Sequence, residues 1–104
     1  MDLNMEEIIM GIIVHSGSAR TLSMEAIQEA KKSNFERAYE LIEEANNEFL
    51  EAHKVQTDMI QKEMNGEKTP IGLLMVHAQD HLMNALTVKD LAEEFIEIYK
   101  TRQK

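Results

Sequence analysis

Apolar residues recur at steps of three and four along almost the whole chain, and only two short stretches break that rhythm. The first is Ser33-Asn34; the second runs from Asn65-Gly66 to Thr69-Pro70 and contains the one proline of the sequence. Residues three and four apart share one face of a helix, so the spacing predicts three long helices and little else. Nothing alternates with period two over a convincing stretch, and Ala, Glu, Leu, Met, Lys and Gln, all strong helix formers, are abundant. No strand is expected.

The helix boundaries follow from local signals. Asn4 followed by Glu7 resembles a capping box that opens a helix from about Met5 to Lys32, with Met5, Ile8, Ile12, Ala19, Ala26 and Ala30 as its inner stripe. Within it, His15-Ser16-Gly17-Ser18-Ala19 lowers helix propensity but lets another backbone come close. Ser33-Asn34-Phe35-Glu36 is a second capping box and starts the second helix. Its inner stripe is Ala38, Ile42, Ala45, Phe49, Ala52, Gln56 and Met59, and its other faces carry Glu40, Glu43, Glu44, Glu48 and Glu51. Asn65-Gly66 is a C-cap signal, and Thr69-Pro70 supplies an N-cap with proline at the first helical position. The third helix continues to about Lys100 and ends in the basic residues Lys100, Arg102 and Lys104, which suit a helix C-terminus. Short connections make successive helices antiparallel, which gives an all-α, up-down-up three-helix bundle in a single domain spanning residues 1–104.

Such a bundle is a rod roughly 40–50 Å long at about 1.5 Å per residue, and a thin rod encloses little core for its surface. The third helix is apolar on more than one side. Leu74, Ala78, Leu82, Ala85 and Ala92 cover one sector, while Leu73, Val76, Met83, Leu86 and Val88 cover others. A helix apolar nearly all round is buried on both sides, so it is expected to pack against its own copies in a cyclic homo-oligomer.

Composition removes several function classes. The chain has no cysteine, which excludes disulfides, thiolate metal sites and cysteine nucleophiles. With 19 acidic against 11 basic residues the net charge is −8, which disfavours nucleic acid and anionic lipid surfaces. No apolar run approaches the ~20 residues of a membrane span. The start, Met1 to Glu7, is acidic where a secretory signal is basic, so a cytoplasmic location is expected. There is no Gly-rich phosphate loop, and Ser16 and Ser18 lie outside any nucleophile-elbow turn.

What remains is the segment Val76-His77-Ala78-Gln79-Asp80-His81-Leu82-Met83. On a helix His77, Asp80, His81 and Asn84 form one polar stripe flanked by Leu74, Ala78, Leu82 and Ala85. One reading is a pair of packed or interfacial histidines, as in an adaptor whose acidic faces bind a partner. A second is a divalent metal site on His77, Asp80 and His81, although it lacks a fourth ligand and the glutamate base of helical metalloenzymes. A third is chemistry on an imidazole itself. Elsewhere His53 reads as a solvated side chain, His15 as structural, the eight methionines as core filler, and Gln56 as a buried hydrogen bond.

Thr69-Pro70 leading into the segment 76–83 resembles the enzyme IIA component of the lactose/cellobiose class of the bacterial sugar phosphotransferase system. The resemblance covers nearly the whole chain, including the acidic second helix and the Leu91 to Tyr99 stretch. It implies a homotrimer in which His77 takes a phosphoryl group from phospho-HPr and passes it to a cysteine of the IIB component. That component phosphorylates an incoming β-linked disaccharide of the lactose, cellobiose or chitobiose class. The resemblance further implies that Asp80 meets its copies on the threefold axis and binds a single structural Mg²⁺, and that the membrane is met only through the IIC permease. Asn84 stands where the family pattern suggests a small hydroxyl residue. His81, one turn from His77, is a candidate auxiliary donor to phosphate oxygens. The residues themselves agree: neutral imidazole is a good phosphoryl nucleophile, and a loose transition state asks mainly for positioning. If the first and third helices run parallel, Ile12 to Gly17 lie level with His77.

Overall fold

The computed structural model describes residues 3–102 and contains three helices, α1 (Leu3–Lys31), α2 (Phe35–Met64) and α3 (Leu73–Arg102), with no strand among the described residues. Each helix buries a seam with alternating steps of three and four. On α1 the buried residues are Ile9, Ile12, Ser16, Ala19, Ser23, Ala26 and Ala30; on α3 they are Met75, Ala78, Leu82, Ala85, Lys89, Ala92 and Ile96. α2 buries Ala38, Leu41, Ile42, Ala45, Phe49 and Ala52.

Two core clusters fix the topology. Ile9, Ile12 and Ala19 of α1 pack with Met75, Ala78, Leu82 and Ala85 of α3 and with Phe49 and Ala52 of α2. Ala26 and Ala30 pack with Ala92, Ile96 and the opposite end of α2, at Ala38, Leu41 and Ile42. α1 and α3 are therefore parallel and α2 antiparallel, the expected up-down-up order. The rod measures 56 × 22 × 19 Å, slightly longer than the sequence predicts. No helix among the described residues is long and apolar enough to cross a membrane.

Several boundary expectations are corrected. α1 already includes Asn4, which lies inside the first turn and is no cap. Asn34 does precede α2, but its side chain makes no capping bond and instead donates to Glu29 Oε1 at 3.2 Å. Lys32 and Asn34 together hold the Glu29 carboxyl below its ordinary value. The turn between α1 and α2 is closed by backbone: Ser33 N–H donates to the Ala30 carbonyl and Asn34 N–H to the Glu29 carbonyl, with Ser33 at φ 69°. That paired pattern is the usual glycine-ended helix stop with serine in the left-handed position. Gly66, at φ 93°, ends α2 by the same bonds, as the Asn65-Gly66 signal predicts.

α3 begins at Leu73 and not at Pro70. The carbonyl of Gly72 accepts the first helical bond, from Val76 N–H at 3.1 Å. Starting at Pro70 would place Gly72 inside the first turn, where glycine costs about 1 kcal/mol relative to alanine. Met1, Asp2 and Lys104 lie outside the described residues.

The core also differs in detail. Met75 takes the inner position expected for Leu74, which is 37% exposed. The methionines are not mainly core filler within one chain: Met10, Met24, Met64 and Met83 are exposed. Lys89 occupies a core position with its Nζ at 3.4 Å from both Asp90 and Glu93, a placement its chemistry does not announce. The stem packs inward while the ammonium reaches the two carboxylates at the rim. Leu73, Val76, Leu91, Phe95 and Ile98 on the outer side of α3, and Met10 and Val14 of α1, remain exposed.

Ser16 and Ser23 are both buried, but Ser23 Oγ donates to the Ala19 carbonyl at 2.8 Å whereas Ser16 Oγ has no hydrogen-bond partner. A buried unsatisfied hydroxyl costs on the order of 1 kcal/mol or more, and alanine is the better helix former. Ser16→Ala is expected to raise the unfolding free energy by about 1 kcal/mol, and Ser23→Ala to gain less because it loses a bond. Urea denaturation of the two variants checks this; equal effects would show that the Ser16 hydroxyl is satisfied in solution.

Candidate functional site

The polar stripe lies on the solvent side of α3, opposite the buried seam of Met75, Ala78, Leu82 and Ala85. His77, Asp80 and Asn84 are exposed and His81 is half-buried. Because α3 starts at Leu73, His77 is its fifth residue, closer to the helix start than a Pro70 beginning implies but still beyond the first turn. A shallow hollow lined by Leu73, Leu74 and His77 opens beside it.

His77 and His81 are brought together. Their Nε2 atoms lie 3.0 Å apart, and the rings meet edge to face with centroids 4.4 Å apart and planes at 90°. One Nε2–H donates to the other Nε2 lone pair, and either ring can take the donor role. Helical spacing sets this pairing, since the two side chains leave α3 one turn apart on the same face. Asp80 is not drawn into it: among the described residues no three histidine, cysteine or acidic side chains could hold a metal ion within one chain. The intrachain metal reading on His77, Asp80 and His81 is therefore not supported.

The back of the same turn is tied down. Gln79 Nε2 contacts Met75 Sδ at 3.6 Å, and its Oε1 accepts a bond from Gln56 Nε2 on α2. This is the half-buried hydrogen bond expected of Gln56, and its partner Gln79 is the residue that sequence reasoning missed. The available signal was the pair of glutamines beside the seams of two neighbouring helices. Next to this bond an apolar groove of about 340 Å³ is lined by Met59, Ile60, Ile71, Met75 and Val76.

The other histidines have separate roles. His15 Nδ1 meets Glu48 Oε2 at 2.6 Å and ties α1 to α2, in keeping with a structural role. His53 is exposed and stacks on Phe49 with ring centroids 5.5 Å apart. On α1, Ile9, Ile12 and Ala19 share the core cluster with Met75, Ala78, Leu82 and Ala85, so the part of α1 around Ile12 lies beside the start of α3. A Cβ on Gly11 or Gly17 would meet no atom within 4 Å, so neither glycine serves a close approach inside the chain.

The family model for the lactose/cellobiose-specific IIA subunit of the phosphotransferase (PTS) system matches residues 7–100. The chain belongs to this IIA family. Among curated relatives, the lichenan-specific phosphotransferase enzyme IIA component of Bacillus subtilis is 53% identical over 100 residues, covering 96% of this chain and 91% of the relative. Among solved structures, the PTS cellobiose-specific enzyme IIA from Bacillus anthracis superposes with a TM-score of 0.92 at 50% identity, covering 97% of this chain and 93% of that one. The IIA(chitobiose)–HPr complex of the N,N'-diacetylchitobiose branch of the Escherichia coli phosphotransferase system matches with a TM-score of 0.81 at 36% identity, covering 93% and 94%. As a IIA chain the protein is a component of a sugar phosphotransferase system, and relatives of one fold carry the names of three different sugars.

Proposed function

We propose that this IIA chain is a phosphohistidine carrier that takes a phosphoryl group from phospho-HPr onto His77 and delivers it to a IIB cysteine in the cytoplasm, for uptake of a β-linked sugar. The observation that carries this reading is the exposed His77 imidazole, whose Nε2 faces a second imidazole at 3.0 Å in a chain of the IIA family. The chain contains no cysteine, so a thiol acceptor lies on another protein. In the transfer, the His77 Nε2 lone pair forms the new N–P bond as the donor's N–P bond breaks. The released electron pair returns to the donor's imidazole nitrogen. Such a loose transition state asks for alignment more than for covalent machinery. In the tautomer that leaves the His77 Nε2 lone pair free, His81 Nε2 carries the hydrogen, and it then donates to an oxygen of the arriving phosphoryl group.

The donor bound to a relative supports the partner: a IIA(chitobiose) of this fold is solved in complex with HPr. His77→Ala is expected to abolish acceptance of an acid-labile phosphoryl group from phospho-HPr while leaving helicity unchanged. Retained labelling of that variant would overturn the assignment. His81→Ala should slow transfer roughly ten- to a hundredfold, the rate equivalent of a charge-assisted hydrogen bond of about 1.5–3 kcal/mol. Rapid-quench kinetics read this directly, and an unchanged rate would reduce His81 to packing.

The proposal extends to a homotrimer with Asp80 on its axis. The apolar outer face of α3 and α1 supports self-association, and Asp80 sits on it within one turn of Val76, His77, Met83 and Asn84. With no three-ligand cluster among the described residues of one chain, an oxygen-ligated cation at Asp80 would draw carboxylates from several copies. Two carboxylates about 4 Å apart repel by about 4 kcal/mol at an effective dielectric of 20. A hard cation such as Mg²⁺ suits that all-oxygen donor set, and its part is structural. Asp80→Leu is expected to give a metal-free trimer of equal or greater stability, because apolar replacement of clustered buried charge is often favourable. Sedimentation with metal analysis checks it. A variant that falls to monomers would make the ion essential to assembly, and one that still binds an ion would place the site elsewhere.

A further inference from the structure

The two imidazoles of α3 bring their Nε2 atoms within 3.0 Å of one another, and within one chain solvent reaches both rings. That arrangement suits a shared proton, and it suits equally an ion that accepts two nitrogen ligands from one side. Zinc–imidazole bonds are about 2.0–2.1 Å long, so an ion held equally by both nitrogens at this spacing would subtend roughly 90–95°. Opening the pair by about 0.3 Å brings the angle to the tetrahedral value at those bond lengths. Side-chain rotation alone supplies that shift, because the backbone separation of the two residues is set by a regular helical turn.

We propose that the unphosphorylated His77–His81 pair is a two-coordinate docking point for a borderline divalent ion, with Zn²⁺ as the ligand, and that this ion and the phosphoryl group exclude one another. The exclusion rests on the phosphocarrier reading above, and the chelation does not. Imidazole is a ligand type that selects Zn²⁺, Ni²⁺ and Cu²⁺ over Mg²⁺, so the site is chemically distinct from any carboxylate cage at Asp80. Chelation uses both Nε2 lone pairs, and the proton now shared between them relocates to Nδ1 of the ring that carried it, with no net proton lost. Among the described residues neither Nδ1 has a protein partner that would oppose this. With no third protein ligand among the described residues of one chain, the remaining coordination positions go to water, and the ion is exchangeable. Phosphorylation of His77 Nε2 consumes one of the two lone pairs and so removes the chelate.

The test is titration of Zn²⁺ into the assembled protein with no phosphoryl donor present, followed by calorimetry and by the histidine ring resonances. One ion per chain is expected. His77→Ala and His81→Ala should each weaken binding at least tenfold, with helicity unchanged, while His53→Ala and excess Mg²⁺ leave it as in the wild type. Wild-type affinity in either α3 variant, or a His53→Ala loss as large as theirs, would overturn the site. Re-titration after loading from phospho-HPr should show at least a tenfold loss of Zn²⁺ affinity, and unchanged affinity would overturn the exclusion. A chain that accepts no phosphoryl group would refute the carrier reading, and the first titration would still decide the chelate on its own.

Discussion

Close approach of helices through small side chains is the constraint on which the rest of the structure depends. Ala78, Ala85 and Ala92 on α3, Ala38, Ala45 and Ala52 on α2, and Ala19 and Ala26 on α1 recur every seventh residue in the buried seams. Alanine there draws the backbones together but contributes little apolar area per residue, so most of the large apolar side chains of α3 cannot find cover inside one bundle. The exposure of Leu73, Leu91, Phe95 and Ile98 is the direct result. A bundle built this way is long and thin, and part of its unburied apolar surface lies on α3, the helix that also carries His77 and Asp80.

The geometry of the histidine pair inherits its rigidity from the same seam. His77 and His81 project from a helical turn whose inner residues, Ala78 and Leu82, are fully buried, and whose flank is tied to α2 through Gln79 and Gln56. Under the carrier reading proposed above, a nucleophile held on a helix wall is well placed for exchange between protein partners, since both donor and acceptor must reach it from outside and a pocket would shield it from both.

Much of this was legible in the sequence, for reasons particular residues make plain. The seven-residue recurrence of alanine and the Asn65-Gly66 stop are local signals, and they were realised. The eight-residue segment around His77 specified the family, and the i, i+4 spacing specified that the two imidazoles meet. What was not legible depended on competition between neighbouring signals. Pro70 is a sound helix opener, but Gly72 lies too close behind it. Asn34 is a sound cap, but Glu29 lies within reach of its amide. Leu74 and Met75 are both apolar, and only packing against Ile9 and Ile12 decides which turns inward. Ser16 and Lys89 entered the core because the helical period required those positions to be buried, against their own polarity.

Lys89 has a consequence for the height of the site. With alanine repeating every seventh residue, α3 sliding by one heptad along α1 and α2 would leave alanine facing the same layers, so the alanines by themselves do not set the register. Such a slip would move His77 by about 10 Å along the rod. Lys89 breaks the degeneracy: its partners Asp90 and Glu93 lie on α3 and travel with it, but one heptad away its buried stem would face layers that hold Phe49 or Ile42 in place of the one it fills. A single buried charge thus acts as an index mark on an otherwise repetitive ruler. It fixes the level of the histidine pair along the rod.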